Sequence, residues 1–395
     1  VSRADQRSRA YALSLAGTAS LALGPWTVDA TSTFGRGRTH LAADYYYAGV
    51  SGGTYTSRYT NRTVSGELAV DGPLLALPGG DVRLAAGAGF RNNGFESLVG
   101  AASIQNYDKH QNSRYAFGEL NLPVLGPNNA LPLVRRLDIS AAVRYEDYEG
   151  VGDIATPKFG IVYAPNTAIE LRASWGRSFR APSFYDLYGV TQASVYPVTR
   201  FGGMAYPAGA TAVLLQGGNT DLKPERATSW SATIAIHPPA LPGASLEVSY
   251  FSTHYINRVV APITVFAQAL TNPAYASLVT YAPGAGQVAS AIAGSQYFFN
   301  YTGSTYDPAS VVALVDGRQT NVGRQEIKGL DVQARYRTGL LGGFATFNLN
   351  ATYLESEQQI SPGLPVEVLA GRLFSPAHWR ARAGVTCDAG ACAST

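Results

Sequence analysis

Charge is what this sequence lacks most. Charged residues make up 14% of 395, where a water-soluble domain carries about 25%, so a solvated surface of this size cannot be covered. Runs of about 18 apolar residues are missing as well, which excludes a transmembrane helix. Cysteine occurs twice, at Cys387 and Cys392, which excludes a disulfide framework and a zinc knuckle. The five histidines (His40, His110, His237, His254, His378) share no metal-ligand spacing, so no protein-bound metal is expected. A net charge of +3 is too small to argue for nucleic acid. There is no Gly-x-Ser-x-Gly motif, and neither Gly35-Arg-Gly37 nor Gly87-Ala-Gly89 leads into a helix with Lys-Ser/Thr. Those glycines read as a strand end and a small-residue inner face. The expectation is a protein that is not an enzyme and holds no cofactor. No initiator methionine or leader pattern precedes Val1, and a piece of a longer protein is expected.

Hydrophobic residues nevertheless reach 46%, with 24 tyrosines. Apolar content without apolar runs means interleaving. Leu137, Ile139, Ala141, Val143 and Tyr145 alternate with Asp138, Ser140, Ala142, Arg144 and Glu146. Ile169, Leu171, Ala173 and Trp175 alternate with Glu170, Arg172, Ser174 and Gly176. Leu330–Arg337, Ala345–Tyr353 and Trp379–Asp388 repeat the pattern. Period two over roughly ten residues is what a tilted strand needs to cross a bilayer. Aromatic residues near stripe ends (Trp26, Phe90, Tyr145, Trp230, Tyr336, Tyr353, Trp379) suit an interfacial girdle. A soluble sandwich also alternates, but its strands usually run about 5–6 residues. The expected fold is all-β, an antiparallel transmembrane β-barrel.

Thirteen strands are expected, near 9–23, 26–36, 62–73, 80–92, 112–124, 134–147, 153–164, 168–178, 226–238, 243–258, 323–337, 343–356 and 376–388. Short connections carry turn chemistry, such as Gly24-Pro25, Leu77-Pro78-Gly79-Gly80 and Gly126-Pro127-Asn128-Asn129. Long connections at 37–61, 93–111, 179–225, 259–322 and 357–375 alternate with them, as periplasmic turns alternate with external loops. Within 259–322, Asn272-Pro273 and Asp307-Pro308 each place a capping side chain before proline, predicting short helices. An odd strand count leaves open edges, so the closing strands are expected outside this chain.

Two stretches resemble the barrel of TonB-dependent outer-membrane receptors. They are Trp175-Gly-Arg-Ser-Phe-Arg-Ala-Pro-Ser-Phe-Tyr-Asp-Leu-Tyr188 and Asn219-Thr-Asp-Leu-Lys-Pro-Glu-Arg226. Thr220 stands where the family pattern has proline. Thr156-Pro-Lys-Phe-Gly160, Tyr115-Ala-Phe-Gly-Glu-Leu-Asn-Leu-Pro123 and Asn321 with Lys328-Gly-Leu-Asp331 add weaker similarity, from about residue 80 to 388. The resemblance implies a barrel of about 22 strands with a plug. It also implies that 1–395 is a partial barrel domain lacking that plug and both barrel ends. Phe179, Arg180, Ala181, Pro182, Ser183 and Leu187, with Asn219, Leu222, Lys223, Pro224 and Glu225, are expected to shape the strand–loop junction. Further implications are an outer-membrane location in a Gram-negative bacterium, TonB and its inner-membrane energising complex as partners, and import of a scarce ligand. Ferric siderophores are favoured among such ligands.

Residues for that role fall into two sets. Arg83, Arg91, Arg144, Arg172, Arg335, Arg337, Arg380 and Arg382 occupy the inward parity, where they would pack a plug or attract an anionic ligand. Tyr45, Tyr46 and Tyr47, with Tyr55 and Tyr59, and Tyr297, Phe298, Phe299 and Tyr301, form aromatic clusters in the external connections. Tyrosine offers rigid contact area with a polar tip, which suits ligand capture. Loop-to-loop packing is the other reading. Cys387 and Cys392 flank a predicted periplasmic turn, where either a bridge or two lipid-facing residues would fit. A passive porin-type channel is the rival function and predicts an open lumen; an outer-membrane hydrolase finds no catalytic residues here.

Overall fold

The computed structural model describes residues 2–47, 49–99, 106–340 and 342–388. Among these, the chain first lays down β1 (Ser2–Leu23), β2 (Trp26–Tyr47), β3 (Val50–Leu77) and β4 (Gly80–Val99). Next come β5 (Tyr107–Leu125), β6 (Arg136–Tyr148), β7 (Gly152–Ala164), β8 (Ile169–Arg180) and the helix α1 (Phe184–Tyr188). β9 (Gln192–Pro197), β10 (Thr211–Gln216), β11 (Glu225–Ile236) and β12 (Ala244–Val260) follow. The remainder is β13 (Val279–Tyr281), α2 (Ala285–Ala293), β14 (Tyr297–Asn300), β15 (Val311–Asp316), β16 (Thr320–Leu340), β17 (Gly343–Gln359), β18 (Glu367–Val368) and β19 (Trp379–Asp388).

Two sheets result. The wall runs β1-β2-β3-β4-β5-β6-β7-β8-β11-β12-β16-β17, with β18 and β19 both pairing β17, and every pairing is antiparallel. It is not closed: among the described residues β1 pairs only β2. Its thirteen long strands are those the alternation marked.

Register shows why the sequence folds this way. Residues opposite one another share a face, and the pairings Leu122↔Ile139↔Ile161 and Ala141↔Phe159↔Trp175↔Trp230 keep apolar side chains together from strand to strand. Val248↔Val332↔Ala351↔Ala381 extends the same face to β19. These large apolar groups stay exposed, including Leu15, Leu21, Leu68, Phe159, Leu349 and Val385. Water would penalise that surface by about 25 cal/mol per Å²; hydrocarbon does not. The opposite face holds cross-strand hydroxyl pairs such as Ser174···Ser231 at 2.9 Å, Ser229···Thr253 at 2.9 Å and Thr233···Ser249 at 2.8 Å. Tyr115 lies across from Gly89, Phe117 from Gly87 and Phe251 from Gly329, so inner-face rings lie over glycines with no side chain to resist them. At the closed end, Gly24 (φ 62°) precedes Pro25 in a two-residue hairpin, where the first position needs positive φ.

Three expectations are corrected. Among the described residues, segments 37–61 and 93–111 are mostly strand: β2 and β3 stay paired from Thr27↔Asp71 to Tyr47↔Val50, β4 runs to Val99 and β5 starts at Tyr107. Main-chain pairing continues there although the side chains no longer alternate apolar with polar (Thr39, His40, Leu41, Ala42). Gly35 and Gly37 consequently sit inside β2 and do not end a strand. The helix expected after Asp307-Pro308 is a single 3-10 turn, Pro308–Ser310, and the apolar run beyond it is β15. Asn272 caps a 3-10 helix at Pro273–Leu278 through Ala274 N.

The second sheet, ordered β13-β15-β10-β9-β14, is built from the two longest connections and forms a cap. β10 pairs β15 in parallel and β9 antiparallel. Both of its faces are covered. Phe201, Ala212, Leu214, Tyr275, Ala313 and Val315 make one core, while Val195, Val213, Val288 and Val311 make another against α2. Burial on both sides explains the continuous apolar runs Ala212–Leu215 and Val311–Val315.

Candidate functional site

The foot of the cap is fastened by the two family-like stretches. Ser183 caps α1 in a reciprocal box, its Oγ accepting from Asp186 N at 3.1 Å while Asp186 Oδ2 accepts from Ser183 N at 2.9 Å. Arg180, leaving β8, donates twice to Glu225, entering β11, at 2.9 and 2.7 Å. Glu225 also accepts from Val259 N at 2.8 Å, which adds β12. Asn219 donates to Gln319 O at 3.0 Å. Asn321 accepts from Lys223 N at 2.7 Å and donates to Lys223 O and Asn257 O. Phe179 meets Tyr148 edge-on at 5.5 Å, Leu187 and Leu222 are buried, and Ala181, Pro182 and Pro224 lie at the strand–loop boundary. These contacts tie the ends of β8, β11, β12 and β16 together at the strand–loop junction.

The aromatic residues form two stacks. Tyr59 stacks on Phe95 at 6.2 Å, Phe95 on Phe184 at 6.1 Å, and Phe184 on Tyr188 at 6.4 Å. Tyr107 packs on Phe95 at 5.8 Å, and Lys109 sits 4.9 Å over Tyr188. In the cap, Tyr297, Phe299, Tyr301 and Tyr196 stack in sequence at 5.8, 6.0 and 4.7 Å, with Arg200 4.6 Å over Tyr196. Tyr55 shares the inner parity of β3 with Tyr59. The first stack starts on the wall's polar face and ends under Lys109, and the second lies on the cap sheet and ends under Arg200.

Strand alternation divides the first tyrosine cluster. Tyr45 takes the inner parity, while Tyr46 takes the outer one with Arg3 5.9 Å over its ring. Both are on β2, correcting their assignment to a loop. The side chain of Tyr47 lies outside the described residues, as does Cys392 of the expected cysteine pair; Cys387 is half-buried on β19. Phe298 points to the opposite side of β14 and meets Tyr306 at 5.1 Å. Burial raises the Tyr306 phenol above its ordinary pKa, and Asp307 adds to the shift. Arg318 donates to Asp316 at 2.9 and 2.6 Å, and this bond holds its guanidinium above the ordinary value. Phe95 and Tyr107 were missed because 93–111 read as a loop, and Phe184 and Tyr188 because the stretch Trp175–Tyr188 was read only as a strand–loop junction; following the inner parity from Arg91 through Asn93 reaches Phe95.

The inner-face arginines divide too. Arg144 donates to Glu146 at 2.9 Å and lies 3.7 Å over Tyr115, whose hydroxyl donates to Glu67 at 2.8 Å. Arg172 pairs with Glu170 at 2.7 Å and Glu247 at 3.4 Å, Arg83 pairs with Asp71, and Arg337 pairs with Asp388 at 3.5 Å. Arg91 lies 6.0 Å over Tyr115. Arg335, Arg380 and Arg382 share the polar face of β16 and β19, where Arg335↔Asn348 and Arg382↔Asn350 are cross-strand neighbours. Among the described residues none of these three has an ion-pair partner.

An all-β wall with one apolar and one polar face, under a folded cap, defines a membrane-barrel receptor. The family model described as "TonB dependent receptor-like, beta-barrel" matches residues 2–386, and the chain belongs to that family. Its barrels reside in the outer membrane, and the family comprises receptors and transporters, not a class of enzymes. No curated protein sequence matches the chain. Among solved structures, the RagAB peptide transporter aligns at 11% identity and TM-score 0.56, over 91% of this chain and 38% of that one. The ferric enterobactin receptor PfeA of Pseudomonas aeruginosa aligns at 14% identity and TM-score 0.51, over 89% and 56%. The siderophore receptor PirA of Pseudomonas aeruginosa aligns at 16% identity and TM-score 0.46, over 88% and 59%. The chain therefore spans well under two thirds of each, and at these identities the likeness speaks for the fold.

Proposed function

We propose that this chain forms the wall and cap of an active-import receptor in the outer membrane of a Gram-negative bacterium. The receptor captures a scarce small molecule, a ferric siderophore in the favoured case, and passes it to the periplasm with energy delivered by TonB. One observation carries the reading: two aromatic stacks, Tyr59-Phe95-Phe184-Tyr188 running from the wall to α1 and Tyr297-Phe299-Tyr301-Tyr196 in the cap, with Lys109 over the end of the first and Arg200 over the end of the second. Such a surface offers rings for stacking and cations for an anionic chelate. Arg335, Arg380 and Arg382 are unpaired within the wall and suit the carboxylates of a plug.

The test is equilibrium binding of candidate ferric chelates to the full-length receptor. Each lost ring contact is worth about 1 kcal/mol, so the double variant Tyr59→Ala/Phe95→Ala should raise Kd roughly 10- to 30-fold. An unchanged Kd with normal folding would remove that stack from the site.

A further inference from the structure

Above the apolar band, the outer face of β1–β3 turns abruptly basic. Below the boundary stand Leu15, Phe34, Val64 and Leu68, with Leu13 on the boundary beside Arg36, all five apolar side chains exposed. Immediately above it, on the same parity, come Arg7 and Arg9 from β1, Arg36 and Arg38 from β2, and Arg58 and Arg62 from β3. Two of them face each other across the ladder, Arg36↔Arg62, and His40 is flanked by Arg9 and Arg58. Like charges directly opposite weaken a sheet. Compensation within the chain is thin. Arg7 meets Asp44 at 3.2 Å, while Arg58 and Arg62 share Glu96 at 3.7 and 4.0 Å. Among the described residues, Arg9, Arg36 and Arg38 pair with no carboxylate. Six guanidinium groups against two carboxylates leave an excess of four positive charges.

The patch is shaped as well as charged. Arg7, Arg9, Tyr11, His40 and Arg58 line a hollow of about 600 Å³. The Nε atoms of Arg38 and Arg58 and the hydroxyl of Thr60, itself fully buried, have no hydrogen-bond partner. Elsewhere on the outer face the charges are mixed: Asp147 on β6 faces Asp153 on β7 and Arg114 on β5.

We infer that this belt docks a lipid of the outer leaflet whose headgroup carries phosphate. Guanidinium groups bind phosphate oxygens bidentately, and the exposed Leu15, Phe34 and Val64 directly below seat acyl chains. A soluble phosphate would use only the upper half of this surface; a phosphorylated lipid uses both. The inference rests on the reading of the apolar face as lipid-facing, and not on ligand import.

Native mass spectrometry of the full-length receptor in detergent tests it, using a bis-phosphorylated lipid A and its dephosphorylated form as probes. The phosphorylated lipid should bind at least tenfold tighter. Arg9→Gln/Arg36→Gln/Arg38→Gln should abolish the preference, and Arg380→Gln/Arg382→Gln on the inner face should keep it. Far-UV circular dichroism confirms that each variant is folded. Equal binding of the two lipids, a preference that survives the belt substitutions, or full displacement by millimolar inorganic phosphate would each overturn the inference. Quenching of a fluorophore at Leu15→Cys by brominated acyl chains tests the membrane reading separately, so failure of the lipid site and failure of the barrel reading are told apart.

Discussion

Removing the Arg180 guanidinium should loosen the foot of the cap more than removing it together with the Glu225 charge. The Glu225 side chain is only 8% exposed and accepts three hydrogen bonds, two from Arg180 and one from Val259 N. Arg180→Ala strands that carboxylate with a single donor. Bonds to charged groups contribute about 1.5–3 kcal/mol. Because Arg180 is itself 53% exposed, water partly replaces it, and the lower part of that range applies. A local loss of about 1.5–2 kcal/mol speeds amide exchange at Val259 roughly 10- to 30-fold, at about 1.4 kcal/mol per decade. Glu225→Gln in the Arg180→Ala background keeps an acceptor for Val259 N without a buried charge, so the double variant should exchange more slowly than Arg180→Ala alone. Hydrogen exchange read by mass spectrometry on peptides spanning 255–262 decides the matter. An additive or worse double variant would refute the reasoning, because the pair would then contribute nothing as a pair.

Other outcomes follow from the same geometry. A Cβ at Gly89 would lie 2.6 Å from both Gly66 O and the Tyr115 hydroxyl. Gly89→Val should therefore displace that ring and cost about 1–3 kcal/mol, seen as a lower urea midpoint for the folded barrel; an unchanged midpoint would contradict the packing. Val213, fully buried in the cap core against α2, should not tolerate aspartate: Val213→Asp should open 181–224 and 261–319 to protease while the wall stays folded. Resistance equal to wild type would show that the cap does not depend on that core. In planar bilayers the full-length receptor should pass no steady current without ligand, whereas a large steady current would favour the porin reading.

The wall was legible in the sequence because lipid on one side and a polar interior on the other impose a strict two-residue period. Leu137–Tyr145 and Trp379–Val385 show it without interruption, and the structure places both on the apolar face. The tall hairpins were misread because the period above the bilayer no longer separates apolar from polar: Arg36, Arg38 and His40 continue the stripe begun by Trp26, Val28 and Phe34. The cap was missed for the opposite reason. Its central strands are covered on both faces, so Ala212–Leu215 and Val311–Val315 carry apolar side chains at every position and no alternation. The aromatic stacks needed tertiary structure, since α1 reaches Phe95 on β4, and β14 reaches β9, from segments far away in sequence.

The measurement that bears most directly on the whole account is a nitroxide scan of single cysteines along Ala345–Tyr353 of β17 in reconstituted bilayers. Positions Phe347, Leu349, Ala351 and Tyr353 should be relaxed by lipid-dissolved oxygen, and positions Thr346, Asn348, Asn350 and Thr352 by a water-soluble metal complex. The two profiles should oscillate with period two and opposite phase. Profiles in phase, or water access at all eight positions, would contradict a wall with hydrocarbon on one side and a polar interior on the other.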